Sequence, residues 1–472
     1  MGSKERFYCD IMNIHPEVTG SCHLLVIKYP NGETTKFVVD CGLFQEAEYE
    51  ELNRELLFKP EEISFCVVTH NHIDHIGRLP FMVRNGFRGN IYTSHSTSRL
   101  IPLALADSYK VLKDVSKRKN KRILYDESDV FKTEALLTPC SYYEPIKADE
   151  HVTITFLKNG HLIGAAMVLI QISYPEQENI NILVTGDYNG KNMFFDVPDI
   201  PKWIRKLNLT IIQESTYGYM DSTETSKCFK SNVLNCIRNN GTVIVPVFSL
   251  GRAQEILYEI KTMQDRGELD KDIPIYFDGK LAIRYTGLYL NDQWMDIKPE
   301  MKNFLPHNLT YVDKVIRPQI LESTDRKIVL TTSGMGTYGP AQIYIIEYLR
   351  RKDALIHFTG YTAEGTLGSR LKNAADGEDV EIGGLFVKKH AKVEYTTEYS
   401  AHAKADEMIK NLNDFKNIKL ILLNHGQKDV KVTFAKRILD EVKTKNVGIL
   451  GREYFFRVNP YGLVKTLSTK FK

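Results

Sequence analysis

Thr69-His70-Asn71-His72-Ile73-Asp74-His75 is the stretch that decides the fold. It closes the apolar run Ile63–Thr69, and its last six residues hold three of the chain's 13 histidines and one carboxylate. On an extended segment residues i and i+2 point the same way, so His70 and His72 can reach one metal ion together. The chain then turns toward a helix, and Asp74 and His75 can swing to a neighbouring position. Imidazole nitrogen and carboxylate oxygen form a ligand set that zinc accepts readily. The alternative is a histidine-rich turn of incidental spacing, but packing has no use for four such side chains in six residues.

Four residues cannot complete two metal sites, so further ligands are expected at other strand ends. Asp40 follows the run Phe37–Val39, His161 stands in Asn159-Gly160-His161, Asp187 in Thr185-Gly186-Asp187, and His425 follows Lys419–Leu423. A lone strand-end Asp or His is more often a cap or a surface residue; the argument rests on their number. Around them the first 200 residues read as short strands and turns, among them Cys22–Tyr29, Thr35–Val39, Val152–Leu157, Met167–Ser173 and Ile180–Thr185. Helical periodicity appears near Glu46–Leu56 and Leu100–Val115. From Leu209 the texture changes. Leu209–Gln213, Thr242–Val247, Ile273–Phe277, Lys327–Thr331 and Ala354–Thr359 are strand-like and alternate with helical stretches such as Arg252–Arg266. That alternation implies a parallel sheet of βαβ units. After about Val393 a helix, a strand and a helix follow: Ala405–Phe415, Ile418–Asn424 and Val430–Thr444.

Composition excludes several classes. The chain has 472 residues, room for about three domains at ~150 residues each, with 43% hydrophobic and 26% charged side chains. That rules out wholesale disorder, a fibrous repeat and a membrane-spanning bundle. Lys+Arg minus Asp+Glu is 62 − 59 = +3, so bulk charge does not announce nucleic acid. No apolar run approaches the ~20 residues of a membrane helix, and no apolar h-region marks a secretory signal. Seven scattered cysteines without a C-x-x-C pair suit buried thiols in a reducing, cytoplasmic setting. Seven basic residues between Lys110 and Arg122, opposed only by Asp114, read equally as a phosphate-tracking patch or as a solvated helix face.

The cluster His70–His75 fits the His-x-His-x-Asp-His signature of the metallo-β-lactamase superfamily, and Asp40, His161 and Asp187 fall where that family places its other motifs. The middle of the chain resembles the β-CASP nucleases. The segments concerned are Ile212–Gly218 (IQESTYG), Pro246–Glu255 (PVFSLGRAQE), Thr332–Met335 (TSGM), Gly360–Arg370 (GYTAEGTLGSR), Tyr399–Ala403 (YSAHA) and Asn424–Gln427 (NHGQ). The similarity runs from about Gly20 to Gln427 and is closest to the RNA-processing branch. That branch includes the endonuclease subunit of the pre-mRNA 3′-end cleavage machinery and compact prokaryotic relatives. Three places depart from the usual pattern: Asp278-Gly279-Lys280-Leu281-Ala282, Tyr338 where a glycine is frequent, and Asn424-His425-Gly426-Gln427.

The resemblance implies an α/β architecture: an αββα metallo-β-lactamase sandwich, residues 1–208 and 391–472, with an inserted β-CASP domain, residues 209–390, whose parallel sheet is flanked by helices. The active site is expected in a cleft between them, and the chain reads as the minimal catalytic body. His70, His72 and His161 resemble the ligands of one zinc ion, and Asp74, His75 and His425 those of a second, with Asp187 bridging. Manganese in place of zinc stays open. Asp40 matches a residue that orients the attacking water, Glu214 the acid that holds a catalytic histidine, and His402 that histidine. Arg252, Ser333, Gly334, Gly365, Thr366 and Arg370 are the implied substrate contacts. The implied reaction is hydrolysis of single-stranded RNA, leaving 5′-phosphate and 3′-hydroxyl ends, with a homodimer open and no membrane partner. The rivals are a DNA nuclease, which His425 disfavours, a thioesterase or lactonase, and a non-catalytic RNA-processing scaffold.

Overall fold

A computed structural model describes residues 7–468 except 16–17, 225, 361, 363–364 and 445. It divides into two compact units, Met1–Ser222 with Ala401–Lys472, and Thr223–Ser400.

In the first unit two sheets stack. An eight-stranded sheet runs in the order Gly462–Ser468, Tyr454–Asn459, Tyr8–Asn13, His23–Lys28, Thr34–Val39, Phe65–Val67, Asn90–Ser94 and Leu137–Cys140. A seven-stranded sheet runs Val447–Ile449, Asn417–Asn424, Asn208–Glu214, Ile180–Val184, Ala166–Ile172, Val152–Lys158 and Ile146–Lys147. Ile11, Ile27, Phe37 and Val67 from the first meet Ile154, Val168, Ile182 and Leu422 from the second in one core. Strands covered on both faces need continuous apolar sequence, and Ile180–Val184 is buried at every position. The outer face of the eight-stranded sheet (Val38, Cys66, Ile91) packs on Ile101 and Leu105 of the helix His95–Lys119. The outer face of the other (Leu169, Ile211, Leu423) packs on Met408 and Leu412 of Ala405–Asn413 and on Phe434 and Ile438 of Lys428–Glu441. The sandwich is therefore αββα.

Helix His95–Lys119 begins where the Ser94 hydroxyl accepts the Thr97 N–H and ends at Asn120 in the left-handed region (φ 49°). Lys117, Arg118 and Lys119 occupy its last turn, where cations meet the negative end of the helix dipole. Glu50 and Glu51 pair with Lys119 and Lys121. This basic run thus has structural uses of its own.

The second unit carries a six-stranded, fully parallel sheet, in the order Leu309–Tyr311, Ile275–Asp278, Lys327–Thr331, Thr242–Pro246, Ala354–Phe358 and Lys392–Tyr395. Tyr344, Ile345 and Tyr348 of the helix Gly339–Tyr348 pack on it, and Ile256, Leu257 and Ile260 of Arg252–Asp265 are fully buried. The expected insert, residues 209–390, needs correction at both ends. Asn208–Glu214 runs parallel to Ile180–Val184 and Asn417–Asn424 within the first unit, and Lys392–Tyr395 joins the sheet of the second unit, which extends to Ser400. Parallel, doubly covered strands look alike in sequence whichever sheet they join.

Among the described residues no helix is long and apolar enough to cross a membrane. The segment 41–43 is clamped to 73–75 by Cys41 N–His75 O (2.8 Å) and Leu43 N–Ile73 O (2.9 Å). A Cβ on Gly42 would fall 1.5 Å from the Asp74 carbonyl oxygen. Gly42→Ala is therefore expected to destabilise the protein by about 3 kcal/mol or more in urea unfolding. Gly287→Ala, in the helix Lys280–Asn291 with nothing within 4 Å of the added Cβ, should be neutral or stabilise by up to about 1 kcal/mol.

Candidate metal centre

Each polar residue of the cluster follows the C-terminal end of a strand. Thr34–Val39 leads to Asp40, Phe65–Val67 to the segment 70–75, Val152–Lys158 to His161, Ile180–Val184 to Asp187, and Asn417–Asn424 to His425, while Glu214 ends its own strand. Asp40 (φ 61°) and His425 (φ 46°) adopt the left-handed conformation, which turns the chain sharply out of the sheet. The expected strand Ile63–Thr69 is shorter, Phe65–Val67, so His70 and His72 lie beyond it.

The ligands separate into two groups around Asp187. His72 Nδ1 lies 3.2 Å from His70 Nε2 and 3.1 Å from His161 Nε2. Three imidazole nitrogens that close resemble the ligands of a tetrahedral cation, for which metal–nitrogen bonds of ~2.0–2.1 Å imply nitrogens about 3.3 Å apart. Asp74, His75 and His425 form the second group. Asp187 Oδ2 lies 3.5 Å from His70 Nε2, 3.4 Å from His75 Nε2 and 3.8 Å from His161 Nε2, while its Oδ1 lies 3.5 Å from His425 Nε2. His75 Nε2 and Asp187 Oδ1 are buried and make no hydrogen bond. Such orphaned groups are costly unless something else satisfies them, and a cation at each group would do so.

The electrostatics agree. Burial, with repulsion from neighbouring imidazoles, drives His70 and His161 well below the usual histidine pKa and brings His72 to about 4. Neutral imidazole is the form that binds metal. Burial would lower His75 and His425 too, but Asp187, together with Asp40 at His75 and Asp74 at His425, raises both. Burial opposes ionisation of Asp187, yet His425 and His75 hold its carboxyl well below the normal range. That end of the cluster gathers positive charge from protons, and metal ions would supply it instead.

Asp40 accepts hydrogen bonds from Thr69 N (2.8 Å) and Thr69 Oγ1 (2.9 Å) and faces His75 Nδ1 at 2.8 Å. Glu214, only 1% exposed, takes the Tyr188 N–H on Oε1 (2.6 Å) and the His402 Nδ1 on Oε2 (2.9 Å). Burial would lower the pKa of His402; the Glu214 carboxylate raises it above the usual value. Asp187, Glu214 and His402 also lie close enough to form a third ligand group, but the Glu214–His402 hydrogen bonds already engage two of its members. The rings of His402 and His161 are 4.7 Å apart.

The other expected contacts lie in the second unit. Gly368 N donates to Met335 O (2.9 Å) and Leu367 N to Thr337 Oγ1 (3.1 Å), which joins the segment holding Ser333 and Gly334 to that holding Gly365 and Thr366. Thr366 caps the helix Leu367–Asn373 through Ser369 N. Arg252 is 7% exposed and pairs with Glu255 (3.1 Å), and Arg370 donates to the Glu381 carbonyl (2.8 Å). Both arginines thus have partners within the protein. Tyr361, Ala363 and Glu364 of the same motif lie outside the described residues. Sequence reasoning missed Thr69, Thr216, Tyr188 N and the Ala401 carbonyl, which receives His161 Nδ1 at 2.9 Å. The threonines stood inside quoted motifs; the backbone groups carry no sequence signal.

Three family models match successive parts of the chain. Residues 16–150 match the metallo-beta-lactamase superfamily, 253–371 the Beta-Casp domain, and 387–449 the Zn-dependent metallo-hydrolase RNA specificity domain. The chain is 28% identical to an RNase J-like protein of Methanocaldococcus jannaschii, over 90% of this chain and 95% of the relative. It is 26% identical to the transcription termination factor FttA of Methanosarcina mazei, over 93% of this chain and 69% of the relative. It is 27% identical to the endoribonuclease ysh1 of Schizosaccharomyces pombe, over 87% of this chain and 53% of the relative.

Asp187→Asn keeps the size of the shared side chain and removes its charge. Elemental analysis after dialysis is expected to show divalent metal lost from both groups; unchanged content would mean that Asp187 does not serve both.

Proposed function

We propose, for a chain that belongs to the β-CASP branch of the metallo-β-lactamase superfamily, that it is a two-zinc ribonuclease cutting single-stranded RNA to 5′-phosphate and 3′-hydroxyl ends. The observation that carries this reading is the union of two histidine–carboxylate groups sharing Asp187 with the Glu214–His402 pair. Names borne by the relatives, RNase J-like protein and endoribonuclease, point to the same substrate.

His70, His72 and His161 would hold one zinc ion, Asp74, His75 and His425 the other, and Asp187 both. When bound, the metals would polarise a phosphoryl oxygen and bring the pKa of a water near neutrality. The protein's own groups supply the rest. Asp40, through Thr69 and His75, keeps the ligand loop in place. Glu214 anchors His402 by Nδ1, which leaves Nε2 to carry the proton. As the bond from phosphorus to the 3′ oxygen breaks, that proton passes to the departing oxygen, and water supplies the oxygen that stays on the 5′ phosphate. A phosphodiester has a poor alkoxide leaving group, so such a general acid is worth about 10²–10⁴-fold. Seven unpaired cysteines support a cytoplasmic setting. Mass measurement in solution tests the homodimer that the sequence leaves open.

His402→Ala should keep both zinc ions yet slow cleavage by about 10²–10⁴-fold; wild-type turnover would reject the assignment. Because Glu214 raises the His402 pKa, the acid keeps its proton to higher pH than an ordinary histidine and loses it as pH rises further. The wild-type rate should fall on that alkaline side, and His402→Ala should lack that limb. Charge reversal of Lys117, Arg118 and Lys119 together is expected to raise KM for RNA, whereas an unchanged KM assigns the run to helix structure alone. Cleavage of a circular RNA would establish endonuclease action.

A further inference from the structure

His425 can bind a metal through Nε2 only if its one hydrogen, in the neutral ring, sits on Nδ1. What decides the tautomer is the group that Nδ1 meets. That group is the hydroxyl of Thr216, 3.0 Å away. A hydroxyl can donate or accept, so by itself it leaves the question open. Here the same oxygen also lies 3.3 Å from the His425 carbonyl, which can only accept. With the Thr216 hydrogen on that carbonyl, Oγ1 is left to accept from Nδ1–H. Nε2 then presents its lone pair toward Asp74 Oδ2 and Asp187 Oδ1, each 3.5 Å away.

The same logic recurs across the centre. Thr69 Oγ1 donates to the Asp40 carboxylate (2.9 Å), which leaves it to accept from His70 Nδ1 (3.1 Å). His75 Nδ1 meets Asp40, and His161 Nδ1 meets the Ala401 carbonyl, both obligate acceptors. Of these, Thr216 lends itself to the cleanest test, because it serves His425 alone and its hydroxyl can be removed without changing shape. The left-handed backbone of His425 adds to the demand, since no regular strand or helix fixes the direction of its ring.

We propose that Thr216 is a positioning residue for the second metal, holding His425 in the Nδ1–H tautomer so that Nε2 is the ligand atom. This rests on the two-metal reading above. Partners of this kind are worth roughly 10–100-fold in metal affinity. The test is zinc binding to the purified full chain, by competition with a chromophoric chelator and by elemental analysis after dialysis. Wild type should hold two zinc ions. Thr216→Val should bind one as wild type does and the other roughly 10–100-fold more weakly, and Thr216→Ser should restore it. Thr216→Ala removes the same hydroxyl without β-branching and should match Thr216→Val, which guards against a packing artefact. With cobalt as probe, the visible absorption of one ion should be lost in Thr216→Val and return in Thr216→Ser. If wild type takes up two ions and both hydroxyl-free variants hold them equally tightly, the proposal is overturned. If wild type fails to hold a second ion, the two-metal reading itself falls.

Discussion

The carboxylate of Asp187 faces four imidazoles from three separate stretches of chain, at 3.4 to 3.8 Å. A single buried carboxylate among four buried imidazoles is stable only if the total charge is supplied at the right places, as protons or as metal ions. To bring His70, His75, His161 and His425 within reach of it, strands from both sheets must end at the same edge. The two-sheet sandwich does this: its interior is apolar, and the candidate ligands stand where the strands stop.

Around that carboxylate a second layer of groups meets the outer nitrogen of four imidazoles. Asp40, the Ala401 carbonyl and the two threonines each receive an Nδ1. They keep the opposite nitrogens aimed inward. Glu214 performs the analogous service for His402, and its other oxygen is tied to the amide of Tyr188, the residue that follows Asp187. The segment that carries His402 is therefore held by the same loops that carry ligands. The candidate ligands and the Glu214–His402 pair thus share one scaffold of hydrogen bonds.

Much of this was legible in the chain. His70–His75 showed itself because four potential ligands in six residues have no use in packing, and the strand-end positions of Asp40, His161, Asp187 and His425 followed from apolar runs that stop abruptly. The parallel sheet of the second unit was visible in the alternation of strand-like and helical stretches. Less was legible at the seam near residue 209, where a buried parallel strand of one sheet reads like that of another. The arginines were ambiguous for a similar reason. Arg252 and Arg370 carry the charge a phosphate would want, and the charge Glu255 and the Glu381 carbonyl accept.

Sequence by itself displayed the candidate ligands and the alternation of strand-like and helical stretches, because residue type and periodicity are local properties. Tertiary structure alone decided which nitrogen of His70, His75, His161 and His425 faces the candidate site. It also placed Thr216, 209 residues before His425 in the chain, against the Nδ1 of that ring. The physical reason is that hydrogen-bond direction depends on the relative placement of donors and acceptors in space, and separation along the chain does not encode it.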